Sequence, residues 1–72
     1  MFDNLNAKEL DVLDYALRNY VVELRTEPSG KTLTDEKFTA LYRTVKPGRF
    51  ATYETAAGML AEVKARKLRR GV

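Results

Sequence analysis

The sequence predicts an all-α fold, a small three-helix domain with short turns. Three segments carry apolar residues at helical spacing, and two turns that contain Pro and Gly separate them. With 72 residues, the chain is long enough for one domain only. We therefore expect a single helical domain over residues 1–72, with helices over about 7–25, 35–46 and 53–69.

The first helix is predicted from a stripe of five apolar side chains whose spacing of three, four, three and four residues places them on one face. These residues are Leu10, Leu13, Leu17, Tyr20 and Leu24. Asn6 suits the N-cap position, and Glu9 stands three residues later, where a capping box has its acid. We expect this stripe to be the face that the rest of the chain covers.

The segment after the first helix has the composition of a turn. Residues 27–30 read Glu-Pro-Ser-Gly, in which Pro restricts φ and Gly tolerates positive φ. A turn between two helices is the favoured interpretation. Because the β-branched residues Val21 and Val22 precede it, a short hairpin across Pro28–Gly30 is the alternative.

The second helix is predicted to begin after Thr34, an N-cap residue that is followed by two acids in the first turn. Pro47 should end this helix at about Lys46, because Pro disfavours a helical conformation in the residue before it. Pro47 and Gly48 then suit the middle of a type II turn, with Gly at the position of positive φ. The third helix should begin after Thr52 as its N-cap.

The third helix is apolar over much of its circumference, which is typical of a helix that is buried on more than one side. Met59, Leu60 and Val63 share one face, and three alanines at intervals of four residues continue it. Small side chains allow another helix axis to come close. The predicted protein interface comprises Ala57, Ala61, Ala65 and Met59.

Charge is distributed unevenly along the chain, although its net charge is only +3. Residues 1–36 contain eight acids and four bases, a net charge of −4. Residues 37–72 contain two acids and nine bases, a net charge of +7. This distribution indicates a basic surface for nucleic acid or for an acidic protein, or two halves that attract each other.

The basic half carries the strongest functional signal in the sequence. Cations flank Pro47 and Gly48 and also crowd the C-terminus, and aromatic residues lie near the first group. Lys and Arg neutralise phosphates and aromatic rings stack on unpaired bases, which predicts nucleic-acid binding. The predicted contact residues are Arg43, Lys46, Arg49, Lys64, Lys67, Arg69 and Arg70. The alternative is that these cations only complement helix dipoles and maintain solubility.

The composition argues against catalysis. The chain has no His and no Cys, and so lacks the usual general base at neutral pH, a thiol nucleophile and the usual zinc ligands. Gly30-Lys31-Thr32 matches the end of a P-loop, but Arg25 stands where that motif requires Gly. We therefore predict no enzymatic activity, no cofactor, no metal and no small-molecule substrate.

Location and association are also predicted from composition. No apolar stretch approaches the ~18–20 residues that cross a bilayer, and residues 1–6 lack the pattern of a signal peptide, which predicts a cytoplasmic protein with no membrane contact. A core of this size supplies only about 3–5 kcal/mol without a disulfide or metal. A homodimer would add to that stability.

These observations predict a small non-enzymatic binding or regulatory module. The favoured partner is nucleic acid, bound through the basic C-terminal half. The alternative is a protein-interaction module, such as a homodimeric adaptor or an inhibitor of a larger protein, that uses the apolar surface of the third helix.

Overall fold

The computed structural model describes residues 4–70, without the side chain of Arg70, and confirms the all-α three-helix fold. The helices are α1 (Ala7–Leu24), α2 (Asp35–Val45) and α3 (Pro47–Arg70). Among the described residues, no helix is both long enough and apolar enough to cross a membrane.

The longest helix, α3, is the element on which the others pack. Its 24 residues span about 36 Å, close to the 39 Å length of the molecule. It contacts α1 extensively and α2 over a smaller area. Because Arg49 reaches the end of α1 at Leu24 and Lys67 reaches its first half at Asp14, α1 and α3 are antiparallel.

The start of α1 confirms the predicted capping box. The Asn6 side chain accepts a hydrogen bond from the Glu9 amide, and the Glu9 carboxylate accepts one from the Asn6 amide, both at 2.9 Å. Two N–H groups that an unprotected helix start would leave unpaired are thereby satisfied.

The buried face of α1 is rotated relative to the predicted stripe. The helix buries Leu10, Asp14, Val21 and Leu24. Leu13 and Leu17 are only half-buried, and Tyr20 is 43% exposed, so the prediction that Tyr20 belongs to the covered face was wrong. Asp14 can lie on the buried face because Lys67 of α3 donates a hydrogen bond to its carboxylate.

The loop between α1 and α2 forms no strands. A single antiparallel bridge joins Thr26 to Thr32, and the Glu27 amide donates to the Lys31 carbonyl at 2.7 Å. Gly30 has a φ of 89°, which a residue without a side chain adopts most easily. The hairpin alternative is therefore limited to one bridge.

The third helix begins at Pro47, which corrects two predictions. Gly48 has no positive φ, so there is no type II turn, and the Thr52 hydroxyl donates to the Gly48 carbonyl at 3.1 Å instead of capping a helix. Pro is well suited to the first helical position because its φ is already helical and its missing N–H needs no acceptor. The local signal that ends α2 therefore also begins α3.

The core lies where α2 packs against the other helices. Phe38 is fully buried, with its ring centroid 4.7 Å from that of Tyr42 and 4.6 Å from that of Tyr53. Side chains of α1 and α3 complete this cluster, namely Val21, Leu24, Ala56 and Leu60. Leu10 and Val63 are also fully buried, near the opposite end of the α1–α3 pair.

Candidate nucleic-acid interface

The predicted nucleic-acid contacts separate into two groups along α3. Lys46, just before the helix, and Arg69, near its end, are 23 residues apart, or about 35 Å along the axis. The first group contains Arg43, Lys46 and Arg49. The second contains Lys64, Lys67, Arg69 and Arg70, of which the Arg70 side chain lies outside the described part of the structure. The six side chains that the structure describes therefore do not form one continuous basic surface.

The first group surrounds Tyr42 at the junction of α2 and α3. The Lys46 ammonium lies 5.0 Å from the centroid of the Tyr42 ring, and the Arg49 guanidinium carbon lies 5.3 Å from it. The Tyr42 hydroxyl donates to the Glu27 carboxylate at 3.3 Å. Arg43, one residue after Tyr42, is exposed. These contacts hold two cations beside an anchored aromatic ring.

Arg49 also has a structural task. Its Nε donates to the Leu24 carbonyl at 2.8 Å, and its Nη2 donates to the Glu23 carbonyl at 3.4 Å. The last turn of α1 has no basic residue of its own, so Arg49 supplies the cation that complements the negative end of that helix. Part of the donor capacity of Arg49 is therefore occupied within the molecule.

The start of α3 adds donors that the sequence prediction missed. The amides of Gly48 and Arg49 have no acceptor among the described residues, and the first turn of α3 contains no acid. A helix N-terminus carries partial positive charge and free N–H groups that suit an anion. We call Arg43, Lys46 and these two amides the α2–α3 corner. The signal that could have located it is Pro47, a common first residue of helices.

In the second group, Lys67 is bound within the molecule. Its ammonium lies 2.8 Å from an oxygen of Asp11 and 2.7 Å from one of Asp14. Arg18 Nε lies 3.3 Å from the other oxygen of Asp14. Acids of the first half of the chain and a base of the second half therefore do form ion pairs, where the end of α3 lies beside the first half of α1. Within the described residues, Lys64 forms no ion pair.

This network changes the proton affinities of its members. The hydrogen bond from Lys67 lowers the pKa of Asp14 below its ordinary 3.8, against the opposing effect of burial and with a further contribution from Arg18. Hydrogen bonds to Asp11 and Asp14 raise the pKa of Lys67 above 10.5. The contribution of Asp14 to stability is present above pH 3.8 and is lost as the pH falls through its folded pKa. That of Lys67 is present below pH 10.5 and is lost as the pH rises through its folded pKa.

Asp14→Asn should therefore flatten the acid side of the stability profile. Below about pH 4, we expect the free energy of unfolding to fall more steeply with decreasing pH in the parent than in the variant. Between about pH 5 and 9, titration of Asp14 should change neither free energy. Urea unfolding from pH 7 down to pH 2 measures both profiles. The matched control is Glu54→Gln, which removes an exposed carboxylate of α3. Parallel profiles for the parent and Asp14→Asn would contradict this prediction.

The predicted protein-interface residues lie on different sides of α3. Ala57 is partly buried against the core, and Ala61 is exposed; both line a groove between α1 and α3. Met59 is half-buried and lines a neutral groove on the other side, with Leu17 and Tyr20. Ala65 is exposed. Intramolecular packing therefore covers this surface only in part.

No protein-family model matches this chain, and no curated protein or solved structure shows significant similarity to it. The fold and its exposed donors are therefore the basis for a functional proposal.

Proposed function

We propose that this chain is a non-enzymatic module that binds the phosphate backbone of a nucleic acid through the α2–α3 corner. The observation that carries the proposal is the uncapped N-terminus of α3, which directly follows a segment with exposed cations in the chain. Its two free amides, Gly48 and Arg49, stand beside Lys46, and Arg43 precedes them on α2. Phosphate oxygens are suitable acceptors for this combination of N–H donors and cations.

The contact would position the nucleic acid rather than read its sequence. The two amides and the helix dipole favour one phosphate, and the exposed side chains of Arg43 and Lys46 neutralise its neighbours. The exposed side of α3 carries Glu54, Gly58 and Ala65, and Arg69 follows them at helical spacing. Among the described side chains, this side therefore offers no row of cations or amides toward base edges. Binding should therefore depend strongly on salt and weakly on sequence.

The second basic group has a smaller role in this proposal. Lys67 is held by Asp11 and Asp14, which would have to be released before it could contact a phosphate. Lys64 and Arg69 are exposed and contribute long-range attraction from the far end of α3.

Arg43→Ala combined with Lys46→Ala tests the proposal. We expect weaker binding and a salt dependence whose log–log slope falls by about two units, because about 0.9 of a unit is lost with each phosphate contact. Fluorescence anisotropy with generic duplex and single-stranded probes at several salt concentrations measures the slope. The matched control is Lys8→Ala combined with Lys31→Ala, which removes the same charge from two other exposed positions.

Two outcomes would overturn the proposal outright, and a third would move the contact away from the corner. One is the absence of binding to any probe at tens of micromolar protein and low salt. The other is an equal loss of slope in the corner variant and in the control, which would reduce the effect to net charge. If replacing Lys64 and Arg69 reduces the log–log slope more than the corner variant does, the phosphate contact lies at the C-terminal end of α3. That result would also count against the corner.

A second candidate function is protein interaction, with the chain acting as a regulatory adaptor or inhibitor or as a homodimer. It is supported by the predicted protein interface on α3, which the other helices cover only in part, since Ala61 and Ala65 are both exposed. A second helix could approach α3 closely at these positions. The native mass of the parent and of Ala61→Trp, measured by light scattering, distinguishes a homodimer from a monomer.

A further inference from the structure

A groove with an apolar floor and a cationic rim runs between α1 and α3. Its volume is about 330 Å³. Apolar side chains of both helices form the floor, namely Val21, Val22, Ala57, Leu60 and Ala61. Arg18 stands on the α1 side, Lys64 on the α3 side, and the ion pair between Arg25 and Asp35 closes one end. We call this feature the α1–α3 groove.

The rim of the groove has an excess of positive charge. It carries three cations, Arg18, Arg25 and Lys64, against one carboxylate, Asp35. Arg25 is occupied by Asp35. Lys64 makes no direct ion-pair contact among the described residues, although its charge acts on Asp14 from a distance. Arg18 contacts Asp14 through Nε, yet its side chain remains 56% exposed. Two cations are therefore available to carboxylates that approach from solvent.

Apolar side chains of the groove also remain open to solvent. Val22 lines the groove and is 40% exposed. On α3, Ala57, Ala61, Lys64 and Leu68 follow one another at spacings of four, three and four, which places them on one face. Leu68 extends this face beyond the groove and is 72% exposed. The face from Ala57 to Leu68 is about 16 Å long, or three helical turns.

We propose that the α1–α3 groove binds an amphipathic helix of a partner protein, one whose apolar face is flanked by Asp or Glu. Apolar residues at helical spacing would cover Val22, Ala61 and Leu68. The flanking carboxylates would pair with Arg18 and Lys64. The fold itself provides an example, since Asp35 in the first turn of α2 already places a carboxylate on Arg25 at one end of the groove.

This interaction does not depend on the phosphate contact. Arg43 and Lys46 of the α2–α3 corner do not line the groove, and neither do the amides of Gly48 and Arg49. Failure of one proposal therefore leaves the other intact. Peptide binding and nucleic-acid binding can both be measured on the same variants.

The probe is a labelled helical peptide of about 14 residues, with leucines at helical spacing and glutamates on both sides of them. We expect this acidic peptide to bind, and two control peptides of the same length to bind at least about tenfold more weakly. One has lysine in place of every glutamate. The other has the same residues as the acidic peptide in a scrambled order. Fluorescence anisotropy measures the affinities, and circular dichroism verifies the helicity of each protein variant.

Arg18→Glu combined with Lys64→Glu reverses the charge of the groove. We expect the acidic peptide to bind about tenfold or more weakly to this variant, and the lysine peptide to bind more tightly than it binds the parent. Arg43→Glu combined with Lys46→Glu is the control, because it makes the same change of net charge at the corner. That control should lose nucleic-acid binding and retain the acidic peptide.

A second pair of variants leaves charge unchanged and avoids a new acid beside Asp14. Ala61→Trp fills the floor of the groove from an exposed position, and Ala16→Trp adds the same side chain at an exposed position of α1 outside the groove. Only Ala61→Trp should weaken peptide binding, again about tenfold or more.

Four results would overturn the proposal. The acidic peptide could fail to bind at millimolar concentration, or it could bind no better than its scrambled form. Its affinity could be unchanged in both groove variants while they remain helical. Finally, light scattering could show a dimer that Ala61→Trp converts to a monomer, which would assign the groove to a second copy of this chain.

Discussion

Phe38→Ala should leave the chain largely unfolded at 25 °C. Phe38 is fully buried, stacks on Tyr42 of its own helix and meets the ring of Tyr53 of α3 edge-on. Its removal therefore opens a cavity in the cluster to which all three helices contribute. A Phe→Ala change in a core costs about 3–5 kcal/mol. A core in a chain of this length supplies about the same amount. Circular dichroism at 222 nm, followed through a urea titration, measures the loss of helix.

The control for this variant is Val45→Ala, at the end of α2, where the side chain is exposed. It removes apolar atoms without opening a cavity and should change the free energy of unfolding by no more than about 0.5 kcal/mol. A Phe38→Ala protein as stable as the Val45→Ala protein would show that α2 does not pack on α1 and α3 as described.

Leu10→Ala should destabilise the chain by about 2–5 kcal/mol, because Leu10 is fully buried near the opposite end of the α1–α3 pair. Truncation of Tyr20 tests the rotation of α1 directly. Since Tyr20 is 43% exposed, Tyr20→Ala should cost clearly less than Leu10→Ala, although Tyr loses more atoms. Urea unfolding at pH 7 gives both free energies.

Val12→Ala is the matched control on the same helix, because Val12 is exposed. It should behave almost like the parent. If Tyr20→Ala instead lowers the free energy of unfolding as much as Leu10→Ala does, α1 buries the stripe predicted from the sequence. The rotation of its buried face toward Asp14 and Val21 would then be incorrect.

Helix starts with side-chain caps could be predicted from the sequence. Asn6 caps α1 together with Glu9, and the Thr34 hydroxyl accepts from the Lys37 amide at 3.2 Å at the start of α2. Each of these contacts joins residues three positions apart. Such contacts depend on local geometry alone, which is why the pattern of residue types was sufficient.

The start of α3 could not be predicted because its local signals conflict. Pro47 both disfavours a helix before it and favours one after it, while Thr52 offers a good N-cap five residues later. Packing decides between them. The earlier start places Phe50 and Tyr53 on the same helix, where the rings of both lie near that of Phe38. This choice also brings the free amides of α3 to the basic residues of the proposed phosphate contact.

The all-α class, the capped starts of α1 and α2 and the supply of cations in the second half all follow from the residue pattern. Which of those cations are left to contact a partner depends on how the helices pack. Arg49 is committed to the end of α1, and Lys67 is committed to Asp14, a partner 53 residues away. Such pairings arise because α1 and α3 are antiparallel, and no local pattern of residues encodes which side chains then meet. The same antiparallel packing creates the α1–α3 groove, whose walls come from two helices that are distant in sequence.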